Sequence, residues 1–202
     1  MRKRLRLRRA TPRDQDVVIG LIDSVAAWLS TKNTDQWARP WPSRVGRDRR
    51  VRADLWAGKT WIVWDGNEPA ATLTISTDPE HRVWTERERQ DPAVYLRRLA
   101  LDRRYAGRGI GAQLVDWAGR WARLRYRAAW IRVDVWTTNT ALHDYYRVRG
   151  FSLVRVCADP DYPAGALLQK PTAGITPPAA PLFEEEYTPP GRITATELHG
   201  AY

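Results

Sequence analysis

Between residues 93 and 127 the chain passes from a β-rich run through three alternating glycines into an amphipathic helix. The run ends in Arg98-Leu99-Ala100-Leu101, and Gly107-Arg108-Gly109-Ile110-Gly111 follows. Glycine has no Cβ, so the backbone there can approach an anion closely. A helix starting at this point adds unpaired N–H groups and a positive dipole end. Together these make a phosphate cradle. The same glycines also suit a plain tight turn between strand and helix. Beyond them, Ile110, Leu114, Trp117, Trp121 and Leu124 recur at helical spacing. They predict one apolar stripe against a sheet, with Arg120, Arg123 and Arg127 outside. Two nucleotide motifs fit poorly. A Rossmann fingerprint needs G-x-G-x-x-G soon after the first strand, and a Walker loop needs a Gly-Lys-Ser/Thr end. Here the spacing is G-x-G-x-G, in mid-chain, with no lysine.

The elements around this segment alternate in type. Leu5 and Leu7 alternate with arginines, as in a half-exposed strand. Thr11-Pro12-Arg13-Asp14 reads as a helix start, and Val18, Leu21, Ile22, Val25 and Leu29 continue it as one apolar stripe. Residues 30–46 read as a loop and 47–57 as a second helix. Residues 60–64 and 70–76 flank the Asp65-Gly66 turn signal of a hairpin. Residues 77–90 are left as a loop with at most a helical turn. After the glycine-led helix come a strand at 130–136, a helix at 139–148 and strands at 151–156 and 166–169. The order β-α-α-β-β-β-α-β-α-β-β predicts an α/β domain with helices on both faces of one sheet, over residues 1–170. Residues 171–202 change character. They hold Pro171, Pro177, Pro178, Pro181, Pro189 and Pro190, and read as an extended or disordered tail.

Composition narrows the class further. The 202 residues suit one domain and one core. No stretch approaches the roughly 18 apolar residues of a membrane span. The basic N-terminus is not followed by an apolar run, so a secretory signal is not expected. Cys157 is the only cysteine and has no Cys/His company, so neither a disulfide nor a metal site is expected. A cytoplasmic protein fits these features. The net charge is +10, and 29 of the 33 basic residues are arginine. An anionic partner explains this excess, whether nucleic acid or a polyphosphorylated cofactor. A genome rich in arginine codons explains it equally well.

Two segments together resemble the GNAT superfamily of N-acetyltransferases. The first is Arg98-Leu99-Ala100-Leu101 with the glycine loop, in which Gly109 and Gly111 match the family's Arg/Gln-x-x-Gly-x-Gly/Ala pattern. Ala106 stands where the family has Arg or Gln, so a side-chain contribution is lost there and Arg103, Arg104 or Arg108 is left to compensate. The second is Asn139-Thr140-Ala141-Leu142-His143-Asp144-Tyr145-Tyr146-Arg147-Val148-Arg149-Gly150-Phe151, similar to the family's Asn-x-x-Ala-x-x-x-Tyr-x-x-x-Gly-Phe helix with Leu142 for alanine. The resemblance covers roughly residues 5–169. It implies a mixed, mostly antiparallel sheet whose central strands splay, with acetyl-CoA as acyl donor in the gap. It further implies cofactor contacts from Leu99, Leu101, Arg108, Gly109, Gly111, Ala112 and Asn139, and Tyr146 as the acid that protonates the leaving thiolate. The acceptor implied is an amine of a small molecule or peptide. The alternatives are a toxin-like relative with an aminoacyl-tRNA acceptor and, from the +10 charge and not from the resemblance, a nucleic-acid-binding protein without activity; a homodimer is a further expectation.

The base is read from the residues. Asp134 lies between apolar neighbours on its strand and could bind a cationic amine or take its proton; pairing with Arg132 is the plainer reading. Glu80, Glu86, Glu88, Asp91, His81 and His143 are further candidates. Adjacent helical residues point about 100° apart, so Tyr145 and Tyr146 are expected to face different places. Trp37, Trp41 and Trp84 fall in loop segments and can wall an acceptor site or pack in the core.

Overall fold

The structure is a computed structural model and describes residues 5–186. Its elements are β1 (Leu5–Arg9), α1 (Gln15–Leu29), α2 (Arg44–Trp56), β2 (Thr60–Asp65), β3 (Glu68–Ser76), α3 (Glu86–Arg89), β4 (Ala93–Leu101), α4 (Ile110–Tyr126), β5 (Trp130–Val135), α5 (Thr140–Arg147), β6 (Ser152–Val156), β7 (Ala166–Pro171) and β8 (Phe183–Glu185). The eight strands form one sheet in the order β6-β7-β5-β4-β3-β2-β1-β8. Only β4–β5 and β1–β8 are parallel pairs.

Alternation along the strands divides the core. Trp61 and Val63 face α4 and α5, where they join Leu73, Ile110, Leu114, Tyr146 and Phe151. Ile62 points the other way, into a cluster with Val18, Leu21, Val51 and Leu55 of α1 and α2. The sheet thus carries helices on both faces, as the element order predicts. A third cluster holds Trp84, Tyr95, Tyr162 and Leu167 beside β5 and β7.

The site is created by a fault between β4 and β5. The two strands pair only over Ala93–Tyr95 and Trp130–Arg132. Beyond Tyr95 they separate, leaving one side of residues 97–101 without a strand partner. A β-bulge marks the place. Arg98 takes a left-handed backbone with φ 51°, and the β3–β4 register shifts between Thr72 and Thr74. Bulges bend the strand that carries the extra residue, which opens the gap further. Arg98 is anchored there by a 2.6 Å bond to Asp54 of α2.

One expectation needs correction. Leu124 does not join the sheet-facing stripe of α4 and is 86% exposed. The buried arc of the helix runs through Leu114, Ala118 and Ala122, so small residues face the sheet and Leu124 lies well round the helix from them. For Trp84 the core reading is the one that holds: it is fully buried against Tyr95.

Part of the segment that reads as a tail lies on the domain. Ile175 packs over Gly119 of α4, Gln113 bonds Ala180 O and Leu182 N, and β8 pairs with β1. Trp117 Nε1 donates to Glu185 at 2.9 Å. The remaining tail, residues 187–202, lies outside the described residues.

Candidate active site

A cavity of about 950 Å³ opens where β4 and β5 part. Leu99 and Leu101 of β4 border it, as do Asp134 of β5, Asn139, Tyr145 and Tyr146 of α5, and Gly111 of α4. Backbone groups of residues 97–101 that would bond a neighbouring strand are free on this side, which suits an extended amide-bearing chain laid alongside.

The glycine loop has the backbone that the sequence leads one to expect. Gly107 and Gly109 have φ of 75° and 79°, conformations costly for residues with a Cβ. Gly109 caps α4, and the first bond of that helix runs from Gln113 N to Gly109 O at 3.0 Å. Ile110, Gly111 and Ala112 precede it, so their N–H groups lack intrahelical acceptors. Arg108 lies over the ring of Tyr105 at the loop. Of the three arginines that could compensate for Ala106, only Arg103 borders the cavity, stacked 3.8 Å over Trp28. Arg104 is held by Asp102 and Glu68.

Tyr146 is 5% exposed, packs edge-on against Phe151 and borders the cavity. Burial, then the nearby Tyr145 and Asp134, push its hydroxyl well above the ordinary tyrosine range, so it stays protonated at neutral pH. Tyr145 borders the same cavity, contrary to the expectation from helical geometry alone. The two rings are perpendicular and 5.4 Å apart, and the long side chain of Tyr145 carries its hydroxyl back toward Gly111. Asn139 caps α5 by accepting from Leu142 N at 3.0 Å, and its amide donates to Gln36 at 2.6 Å. Its side chain therefore fixes where α5 begins, and with it Tyr146.

Asp134 is not paired with Arg132. Arg132 is buried and bonds Asp91, Gln169 and the hydroxyl of Tyr95. Asp134 Oδ2 instead accepts a hydrogen bond from Tyr162, and its Oδ1 is buried without a partner. Burial raises the carboxyl above the usual range against the pull of that hydrogen bond and of Arg97. Tyr162 went unseen in the sequence because it sits in a loop 28 positions away with no motif around it. Among the other candidates, Glu88 bonds Arg155, His81 contacts Arg89, and His143 Nε2 lies 2.9 Å from Trp136 O. Glu80 borders the Asp134–Tyr162 pair electrostatically and approaches Arg50 at 3.8 Å. Trp37 and Trp41 line the cavity. No group of metal-binding residues occurs among the described residues.

Residues 22–151 match the family model described as the acetyltransferase (GNAT) family. The chain belongs to this family. It is 26% identical over 144 residues to the uncharacterized N-acetyltransferase YesJ of Bacillus subtilis strain 168, spanning 70% of this chain and 78% of that one. Solved structures share the fold. A GNAT-family acetyltransferase from Listeria monocytogenes superposes with a TM-score of 0.65 at 21% identity, over 82% of this chain and 93% of that one. The PaiA N-acetyltransferase of Thermoplasma acidophilum, solved in complex with coenzyme A, gives 0.63 at 11% identity, over 83% and 98%. No helix among the described residues is long and apolar enough to cross a membrane.

Proposed function

We propose that this acyltransferase moves an acetyl group from acetyl-CoA to a primary amine of a small molecule or peptide. One observation supports the reading: the unpaired stretch of β4, Gly111 in the first turn of α4, Tyr146 and Asp134 border a single cavity. The amides of Gly109, Gly111 and Ala112, with Arg108 beside them, would hold the pyrophosphate. Leu99 and Leu101 would bond the pantetheine amides through their backbone. Asn139 would act on the donor indirectly, by setting α5.

In the transfer, the amine nitrogen attacks the thioester carbon and the carbon–sulfur bond breaks. Asp134 is suited to take the amine's proton, because burial has raised its affinity for one. Tyr146 is suited to give a proton to the departing thiolate, because burial keeps its hydroxyl protonated. Two groups whose surroundings set opposite proton roles are what this chemistry needs. A β4 backbone N–H facing the gap would stabilise the charge developing on the carbonyl oxygen.

The test is coenzyme A release from acetyl-CoA across a panel of amines and peptides, with the acetylated product confirmed by mass. Release that requires an amine is expected. Absence of release with every amine, together with no calorimetric binding of coenzyme A, would refute the reading.

A further inference from the structure

The cavity walls are strongly unequal in charge. Lys32, Arg44, Arg47, Arg50, Arg97, Arg98 and Arg103 line it, against Asp23 and Asp134 alone. Arg103 and Lys32 lie against Trp28. The other notable group is Arg44, Arg47 and Arg50, spaced three apart along α2, which puts them on neighbouring faces over two turns.

Contacts join this α2 row to the proposed base. Arg50 stacks 4.6 Å over the ring of Trp41. Trp41 meets Tyr162 edge-on at 4.9 Å, and Tyr162 donates its hydroxyl proton in the bond to Asp134. The arginines therefore belong to the acceptor's end of the cavity. The three are not equally available. The Arg47 side chain is only 10% exposed. Nη1 bonds Asp23 and Nε bonds Asp48, yet Nη2 is buried with no partner. That N–H is closed off from solvent as well, so Arg47 anchors α2 and the row's accessible charge lies on Arg50 and Arg44. Arg44 is exposed and has no carboxylate within ion-pair reach among the described residues. Glu80 comes no nearer to Arg50 than 3.8 Å, beyond hydrogen-bond distance.

We infer that the acceptor is an amine that also carries a carboxylate. The amine lies at Asp134 and Tyr162, and the carboxylate is held by Arg50 with Arg44 at the rim. Guanidinium forks match carboxylate oxygens two at a time, which fixes orientation as well as charge. A polycationic amine would instead meet an excess of like charge in the same walls. The inference rests on the amine-acetylating function proposed above.

The experiment compares matched pairs of acceptors in coenzyme A release by the full chain. One member of each pair is an amino acid, either an ω-amino acid of increasing length or an aromatic α-amino acid. The other is the amine with the same skeleton and no carboxylate. In at least one pair the carboxylate member should have a kcat/KM more than about tenfold higher, the equivalent of one good charged contact. Arg50→Gln should bring that ratio toward one through KM for the amino acid, with KM for acetyl-CoA unchanged. Arg44→Gln, at an exposed position, should shift it the same way by less. These two positions are tested and Arg47 is not, because Arg47 ties α2 to α1 through Asp23. If the amines without carboxylates are used equally well in every pair, or the ratio is indifferent to both substitutions, the carboxylate site is wrong while the acetyltransferase reading stands. If no member of any pair releases coenzyme A, the carboxylate site is wrong, and the peptide panel with coenzyme A calorimetry decides the acetyltransferase reading.

Discussion

Gly111→Ala tests what the second residue of α4 leaves room for. A Cβ at Gly111 would lie 2.8 Å from the Tyr145 hydroxyl, closer than ordinary contact by several tenths of an ångström. Tyr145 cannot recoil freely. Arg149 covers its ring at 3.4 Å, and Tyr146 stands perpendicular at 5.4 Å. Overpacking of this kind costs about 1–3 kcal/mol. Alanine in a helix regains up to about 1 kcal/mol over glycine, so the single variant should lose stability slightly or break even. In a Tyr145→Phe background the hydroxyl is gone, and the next atom, Tyr145 Cζ, is at 3.9 Å, a normal contact. The clash then disappears and the helical gain remains. A double-mutant cycle should therefore show a favourable coupling of about 1–3 kcal/mol, or about 2–12 °C of non-additive shift in Tm for a chain of this size. Denaturant unfolding followed by tryptophan fluorescence measures it. Additivity within about 0.5 kcal/mol would show that the Tyr145 hydroxyl does not occupy this space. Calorimetry with coenzyme A supplies a second check. The amide of residue 111 survives in the double variant, so affinity should fall by less than tenfold, about 1.4 kcal/mol. A larger loss would mean that the missing Cβ serves the phosphate and not the tyrosine.

Tyr146→Phe should lower turnover with a true acceptor by about 10²–10⁴ while leaving coenzyme A affinity in place. Its Tm should hardly change, because the Tyr146 hydroxyl has no hydrogen-bond partner among the described residues; full turnover in this variant would remove the tyrosine from the chemistry. Asp134→Asn should abolish most turnover yet raise Tm at neutral pH. The Asp134 carboxyl is raised in the folded state, so between the ordinary aspartate value and the raised one the native protein holds a proton that the unfolded chain releases; stability falls as pH rises through that window, and above it the carboxylate is buried, costly and able to act as a base. A lower Tm at pH 7 than the parent would contradict this. Glu88 is the opposite case: its bond to Arg155 holds the carboxyl down to about 2. Its stabilisation is complete above the ordinary glutamate range and fades as pH drops toward about 2, so Glu88→Gln should flatten the acid limb of a Tm-against-pH curve.

Local chemistry carried much of this protein openly. Glycines at 107 and 109 announce positive φ because few other residues tolerate it, and both adopt it. The apolar rhythm of residues 15–29 and the Asp65-Gly66 turn follow from forces acting within a few residues. Asn139 declares a helix start because its side chain serves the N–H three residues on. The strand limits at Ala93 and Leu101 also come out as read.

Other features required the folded chain, because they depend on which distant segments meet. The pairing of Asp134 with Tyr162 and of Arg132 with Asp91 joins residues 28 and 41 positions apart, and periodicity carries no information about such partners. The exposure of Leu124 reflects where the sheet lies beneath α4, and the burial of Trp84 reflects β4 arriving beside it. β8 exists only because β1 presents an open edge to residues 183–185, whose own acidic sequence predicts no strand. The cavity itself is tertiary in origin: β4 and β5 each look continuous in sequence, and their separation after three paired residues is a property of the pair.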